Sequence, residues 1–228
     1  GNPQGLAFDS SNHLYVTSRS TNTVTEYDTN NANAVVVTLT GFNNPQGIVF
    51  DPTTGLLYVA NALGNTISIY QTPANTLFTT MTSTPVFNRP NGLALDSNHN
   101  LYVANLNIPN VTEYATGGMT AGTWAATPSQ TFSGTNMHQP TGLAVSANQL
   151  YVSNGTNNTV TVYNATTGVQ ITTQTITLAS SPNNVHIDGS TGLLYVASST
   201  AASIGVYQTN TLGTAFPLVT TFTTTGNP

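Results

Sequence analysis

Cysteine and lysine are both absent from this 228-residue sequence. Without cysteine there can be no disulfides, thiolate catalysis, Cys-type zinc sites or iron–sulfur clusters. Without lysine there is no Schiff-base chemistry and no phosphate loop ending in Gly-Lys-Ser/Thr. Charge of any kind is scarce: 4% of residues are charged, against roughly 25% in an ordinary soluble domain. Arg19 and Arg89 are the only firm cations. Such a chain cannot neutralise a row of phosphates, which argues against nucleic-acid partners and against anionic membrane surfaces. No apolar run reaches the roughly 18 residues of a bilayer span, so membrane insertion is not expected. The chain opens at Gly1 with no signal segment, as a processed product or a fragment would.

What is present is repetition. Five segments align: Asn2-Pro-Gln-Gly-Leu-Ala-Phe-Asp9, Asn44-Pro-Gln-Gly-Ile-Val-Phe-Asp51, Arg89-Pro-Asn-Gly-Leu-Ala-Leu-Asp96, Gln139-Pro-Thr-Gly-Leu-Ala-Val-Ser146 and Ser181-Pro-Asn-Asn-Val-His-Ile-Asp188. Tyrosine shows the regularity best. Tyr15, Tyr58, Tyr102, Tyr151 and Tyr195 hold one slot, and Tyr27, Tyr70, Tyr114, Tyr163 and Tyr207 hold another, twelve residues on. The marker prolines, Pro3, Pro45, Pro90, Pro140, Pro182 and Pro228, step by 42, 45, 50, 42 and 46 residues. A period of that size is one supersecondary unit.

The unit is a four-stranded meander. Alternating Leu6 and Phe8 precede a turn at Asp9; Leu-Tyr-Val and then Val24-Thr-Glu-Tyr27 follow, with β-branched and aromatic residues at strand spacing. A fourth strand is expected at Val35–Leu39 in the first unit, Ile171–Leu178 in the fourth and Leu218–Phe222 in the last. Thr, Asn and Gly dominate between them, and these are poor helix formers. Repeated five times, the unit predicts an all-β fold, a single β-propeller domain over 1–228. Its blades are expected at about 1–43, 44–88, 89–138, 139–180 and 181–228. Five blades are expected, or six if the chain is a fragment, because Gly226-Asn-Pro228 repeats the opening tripeptide. A solenoid would show shorter, stricter coils.

The run Pro-x-Gly-Leu/Ile-Ala-φ-Asp, then Leu-Tyr-Val-Ala-Asn, then Asn-Thr-Val/Ile-x-x-Tyr, resembles the NHL repeat from end to end. The resemblance implies a propeller, most often six-bladed, in a family that includes an amidating lyase, extracellular sensor domains and RNA-binding modules. Family repeats tend to place Asp after the second strand and Arg before the third. Here those slots read Asn61, Asn105 and Asn154, and Thr66, Val111 and Thr159, so an ion pair is exchanged for neutral hydrogen-bonding groups, which argues against a charge-dependent role.

Candidate sites are sorted by the end of the ring on which they fall. His13 and His99 lie in first-to-second strand connections, His138 lies at the opposite end, and His186 replaces Ala on an innermost strand. The four do not converge, so no metal site and no cofactor are expected. His186 is expected to project toward the central channel. Asp9, Asp51, Asp96 and Asp188 are expected to accept from backbone amides of the following turn. Glu26 and Glu113 occupy equivalent slots and read as repeat residues, not as a catalytic pair. No nucleophile elbow or His-Glu-x-x-His motif is present. Arg19 and Arg89 map to one end of the ring, where an anion such as a carboxylated sugar could bridge them.

Threonine and asparagine number 43 and 28, and they stand where other proteins carry Lys and Glu. A surface wetted by neutral groups lacks the repulsion that keeps molecules apart. Sequons at Asn110, Asn154, Asn157 and Asn164 permit glycans. The expectation is a non-catalytic extracellular or cell-surface propeller, secreted and glycosylated, acting as a structural or adhesive module. Its partners would be itself, other extracellular proteins or glycans. The alternatives are a carbohydrate or small-ligand binding module using His138, Asn61, Asn105 and Asn154, and an NHL-type lyase or hydrolase with His186 in the channel.

Overall fold

The structure is a computed structural model that describes residues 1–119, 121–209 and 216–223; the closing tripeptide lies outside them. It is all-β: five blades of four antiparallel strands stand in a ring, a β-propeller with almost no helix. Blade one comprises β1 (Pro3–Phe8), β2 (His13–Ser18), β3 (Thr23–Asp28) and β4 (Ala34–Leu39). Blade two comprises β5 (Pro45–Asp51), β6 (Leu56–Asn61), β7 (Thr66–Gln71) and β8 (Thr76–Ser83). In blade three, β9 (Pro90–Leu95), β10 (Leu101–Asn105) and β11 (Asn110–Tyr114) lead to β12 (Gly122–Ala126) and β13 (Gln130–Phe132). Blade four is β14 (Pro140–Ser146), β15 (Gln149–Asn154), β16 (Thr159–Asn164) and β17 (Ile176–Thr177). Blade five is β18 (Pro182–Asp188), β19 (Leu193–Ser198), β20 (Ser203–Gln208) and β21 (Leu218–Thr223).

Two details depart from the repeat. The third unit is the longest because β12 leaves its own blade and adds in parallel to β8, Trp124 opposite Met81, making blade two five-stranded. Residues 122–126 therefore join a different sheet from the one expected for blade three, whose fourth strand is the short β13 on β11. In the fourth unit the expected strand Ile171–Leu178 shrinks to β17. The polar run Thr172–Gln174 turns as a 3-10 helix instead, while Ile176 reaches the core.

The core lies between blades, not within one. Each of four clusters joins consecutive blades, and each pairs a tyrosine of the first slot with one of the second from the next blade. The pairs are Tyr15 with Tyr70, Tyr58 with Tyr114, Tyr102 with Tyr163, and Tyr151 with Tyr207. Tyr195 and Tyr27 are left over, one on each terminal blade, and both are only half-buried. The strands record the same asymmetry. Those of the middle blades are buried on both faces, as in β6 and β10, whereas β2 and β19 alternate between buried and half-buried residues. The innermost strands pack in the order β1, β5, β9, β14, β18, with no comparable contact between β18 and β1.

Glycine in the repeated Pro-x-Gly permits this approach. A Cβ on Gly47 or Gly92 would lie 2.2 Å from the carbonyl oxygen of Asn91 or Thr141 on the next blade. The fifth repeat has Asn184 in that slot, and among the described residues no innermost strand packs against it as β9 packs on β5 or β14 on β9. Asparagine elsewhere serves the turns: Asn22, Asn44, Asn65, Asn75 and Asn158 all have positive φ, a region that Asn tolerates better than most residues. Gly92→Ala is expected to force β9 and β14 apart and cost about 1–3 kcal/mol, or roughly 2–12 °C in Tm. Asn184→Ala should cost far less, and thermal unfolding of the two variants checks the contrast.

Candidate functional site

The innermost strands begin at one end of the ring, and there they enclose a polar cavity of about 340 Å³. All five blades contribute to its wall, among them Gln46, Asn91, Thr141 and Asn184, together with Arg19 and Arg89. Arg19 follows β2, and Arg89 sits in the left-handed turn that opens blade three, its backbone N–H donating to Asn65 Oδ1 at 2.8 Å. Among the described residues neither guanidinium has an ion-pair partner; the ion pairs present all involve histidine. No histidine or carboxylate lines the cavity among the described residues. The two cations thus face a ring of amides and hydroxyls without a counter-ion, an arrangement suited to an incoming carboxylate, which a guanidinium binds through two parallel hydrogen bonds.

His138 lies in a smaller cavity of about 290 Å³ with Leu106, Asn107, Pro109 and Gln139; Leu106 is shared with the larger one. His186 is elsewhere. The slots equivalent to it hold Ala94 and Ala144, both buried in interblade clusters. Blades stand radially, so a side chain on the innermost strand points at the neighbouring blade and not along the axis. His186 consequently lies on the face of blade five turned away from blade four, 6.5 Å from the Tyr195 ring, instead of in the channel.

Asn61, Asn105 and Asn154 are buried staples, not ligand-facing residues. Asn105 Oδ1 accepts from Asn88 N at 3.2 Å, and its Nδ2 donates to Asn110 Oδ1 at 2.9 Å and Thr112 Oγ1 at 3.2 Å. Asn61 ties Asn43 N to Thr66 and Ser68, and Asn154 ties His138 N to Thr161 in the same way. Each neutral amide joins the incoming connection of its blade to the hairpin of β6–β7, β10–β11 or β15–β16. Asn154 is wholly buried, so the folded chain has no room for a glycan there. Asn110 is engaged by Asn105, while Asn164 accepts from Thr166 N and Thr167 N in an exposed turn, and Asn157 makes one long contact to Asn136 O at 3.5 Å.

The opposite end of the ring holds the carboxylates. Asp9, Asp51, Asp96 and Asp188 each accept from the amide two residues on, at 2.8–2.9 Å. Ser190 and Thr191 also donate to Asp188 and hold its carboxyl at about 2, below the usual range. What residue-by-residue reading missed is that three of these turns acquire cross-strand partners. Glu26 reaches His13 in blade one, Glu113 lies near Asp96 in blade three, and His99 Nδ1 contacts Asp51 Oδ1 of blade two at 3.0 Å. The available signal was register, since Glu26 and Glu113 stand opposite the first-slot tyrosines Tyr15 and Tyr102.

Burial, and secondarily Asp96, push the Glu113 carboxyl above its ordinary value, against a lowering hydrogen bond from Ser129. A raised carboxyl pKa means that the folded state favours the proton, so stability is highest below the unfolded value and declines as pH rises through the folded one. Glu113→Gln is therefore expected to raise Tm at pH 7 relative to the parent chain, with the gap closing at pH 4, as calorimetry at the two pH values would show.

No curated protein matches the sequence, whereas similar solved structures are abundant. A functionally unknown protein from Desulfotomaculum acetoxidans superposes with a TM-score of 0.75 at 14% identity, covering 97% of this chain and 70% of that one. A chain of a nidogen/laminin complex gives 0.77 at 17% identity, covering 97% and 80%. Virginiamycin B lyase from Staphylococcus aureus gives 0.71 at 12% identity, covering 99% and 71%. At such identities these likenesses establish the fold alone. Residues 110–227, just over half the sequence, match the family described as lactonase, 7-bladed beta-propeller. This chain belongs to that lactonase β-propeller family.

Proposed function

We propose that the cavity at the channel mouth binds a small polyhydroxylated carboxylate, a sugar acid or hydroxy acid, held by Arg19 and Arg89. The observation that carries the reading is the placement of the chain's only two arginines, without acidic partners among the described residues, at one amide-lined cavity. Gln46, Asn91 and Asn184 offer donors and acceptors for hydroxyls, and the arginines offer the anion its charge-assisted hydrogen bonds. The family label points the same way, because opening a lactone leaves a hydroxy-carboxylate. Binding is favoured over turnover because the wall carries neither a general base nor an activated nucleophile among the described residues. The NHL-like repeat supports the same scaffold reading. An extracellular placement fits the Thr- and Asn-rich, nearly ion-free surface.

Titration calorimetry with gluconate and glucuronate tests this directly. One saturable site is expected, weakening with added salt, and Arg89→Gln or Arg19→Gln should each weaken it about 10- to 100-fold. No binding of any hydroxy-carboxylate would end the proposal. Hydrolysis of an aldonolactone above the buffer rate, lost in Arg89→Gln and His138→Ala, would replace binding with catalysis.

A second reading, self-association, rests on a separate observation. The face of blade one turned away from blade two presents Leu6 at 64% and Phe8 at 57% exposure, and the face of blade five turned away from blade four presents Phe222 at 55%. Tyr27 on one face and Tyr195 on the other are the two halves of the tyrosine pairing used at each interblade contact. A second copy docking blade five onto blade one would complete it, head to tail. Light scattering should show mass rising with concentration, with Phe8→Thr reducing the effect; a monomer at all concentrations rules this reading out.

A further inference from the structure

At the end of the ring opposite the arginines, three elements of blade one bring an imidazole and two buried carboxylates together. Asp9 follows β1, His13 opens β2 and Glu26 lies on β3. One ligand atom from each lies within 4.8 Å of the other two. His13 Nδ1 is 2.5 Å from Glu26 Oε1 and 3.9 Å from Asp9 Oδ2, and the Asp9 and Glu26 side chains are only 5% and 1% exposed.

Two features distinguish this cluster from the turn aspartates. Asp9 spends only Oδ1 on its turn, accepting from Ser11 N and His13 N; its Oδ2 receives no hydrogen bond from any described residue and faces the imidazole. Charge is also unbalanced. Asp28 stands 3.9 Å from His13 Nε2, so three carboxylates surround one imidazole, while both arginines lie at the other end of the ring. One protonated histidine cannot neutralise three anions, and buried charge is costly unless compensated.

We infer that Asp9 Oδ2, His13 Nδ1 and Glu26 Oε1 form a binding site for a first-row divalent cation of the zinc type. One nitrogen and two carboxylate oxygens suit such an ion, with a fourth position left to water. Ligands at roughly 2.0–2.2 Å from a tetrahedral ion lie more than 3 Å apart, so the His13–Glu26 contact opens by about an ångström on binding. Asn75 of blade two already holds the far oxygen of Glu26, its Nδ2 donating to Oε2 at 2.5 Å, which orients the carboxylate as second-layer partners of metal ligands do. The ion would pin the β1–β2 turn to β3 in a blade that has one face uncovered.

Blade three supplies an internal comparison. Its equivalent slots hold Asp96, Asn100 and Glu113, and Asn100 Nδ2 donates to Asp96 Oδ2 at 3.0 Å where His13 faces Asp9. The glutamate slot holds Ile69, Val162 and Val206 in the other blades. His13→Asn therefore installs a side chain that the same fold already accepts at that position.

The test is Zn²⁺ titration of the EDTA-treated 228-residue chain, by calorimetry and thermal unfolding, with Co²⁺ absorption as a spectroscopic readout. One equivalent should bind saturably and raise Tm, as any ligand selective for the folded state does. In His13→Asn and Glu26→Gln, affinity should fall at least about tenfold and the Co²⁺ bands should disappear, while the metal-free Tm of His13→Asn stays near that of the parent chain. Absence of saturable binding, or binding unchanged in both variants, overturns the site; the latter result would place adventitious metal at another histidine.

Discussion

Everything in this molecule depends on how closely one innermost strand approaches the next. At Gly47 and Gly92 the neighbouring carbonyl occupies the space that a side chain would need, so the blades meet backbone to backbone near the axis and side chain to side chain farther out. The gap that remains is filled by the paired tyrosines. Burying an aromatic ring of this size contributes more than any other single contact available to so uncharged a chain, and it acts between blades. Among the described residues every core cluster spans two blades, so each blade packs its apolar side chains against its neighbours, as expected for repeat architectures.

Neutral groups do the work that ion pairs do in other proteins. Asn61, Asn105 and Asn154 fix the connections through buried amides, and Asp9, Asp51, Asp96 and Asp188 cap the turns at the other end. Because the buried polar groups are mostly satisfied by such local bonds, the few formal charges stand out. Two cations gather at one end of the axis, and a histidine with three carboxylates gathers in blade one at the other. The polarity of the ring, arginines at one mouth and carboxylates at the opposite end, follows from strand direction: residues before β1-type strands and after β2-type strands share an end, and residues after β1-type strands share the other.

A good part of this was legible in the sequence. The tyrosine slots and the Pro-x-Gly spacing announced the blades, and Asp followed by Ser, Thr or Asn announced the turns. The common end of Arg19 and Arg89 followed from strand order. The asparagines after the second strands were misread as loop residues facing a ligand. Their type suited either role, and only the inward turn of each side chain beneath the hairpin distinguishes a staple from a contact. His186 was misplaced for a related reason: a position on the innermost strand does not say whether its side chain points along the axis or at the adjacent blade.

By itself the sequence determined the repeat, the strand pattern, the lack of charge and the end of the ring on which each motif falls, because these depend on local spacing and on chain direction. Only the tertiary structure decided which blades share a core, that β12 departs to a foreign sheet, that Tyr27 and Tyr195 meet no second tyrosine among the described residues, and that Asp9, His13 and Glu26 converge. Those outcomes depend on register between strands and on radial packing between blades, where contacts join residues distant in the chain and one residue's shift in pairing sends a side chain to the opposite face.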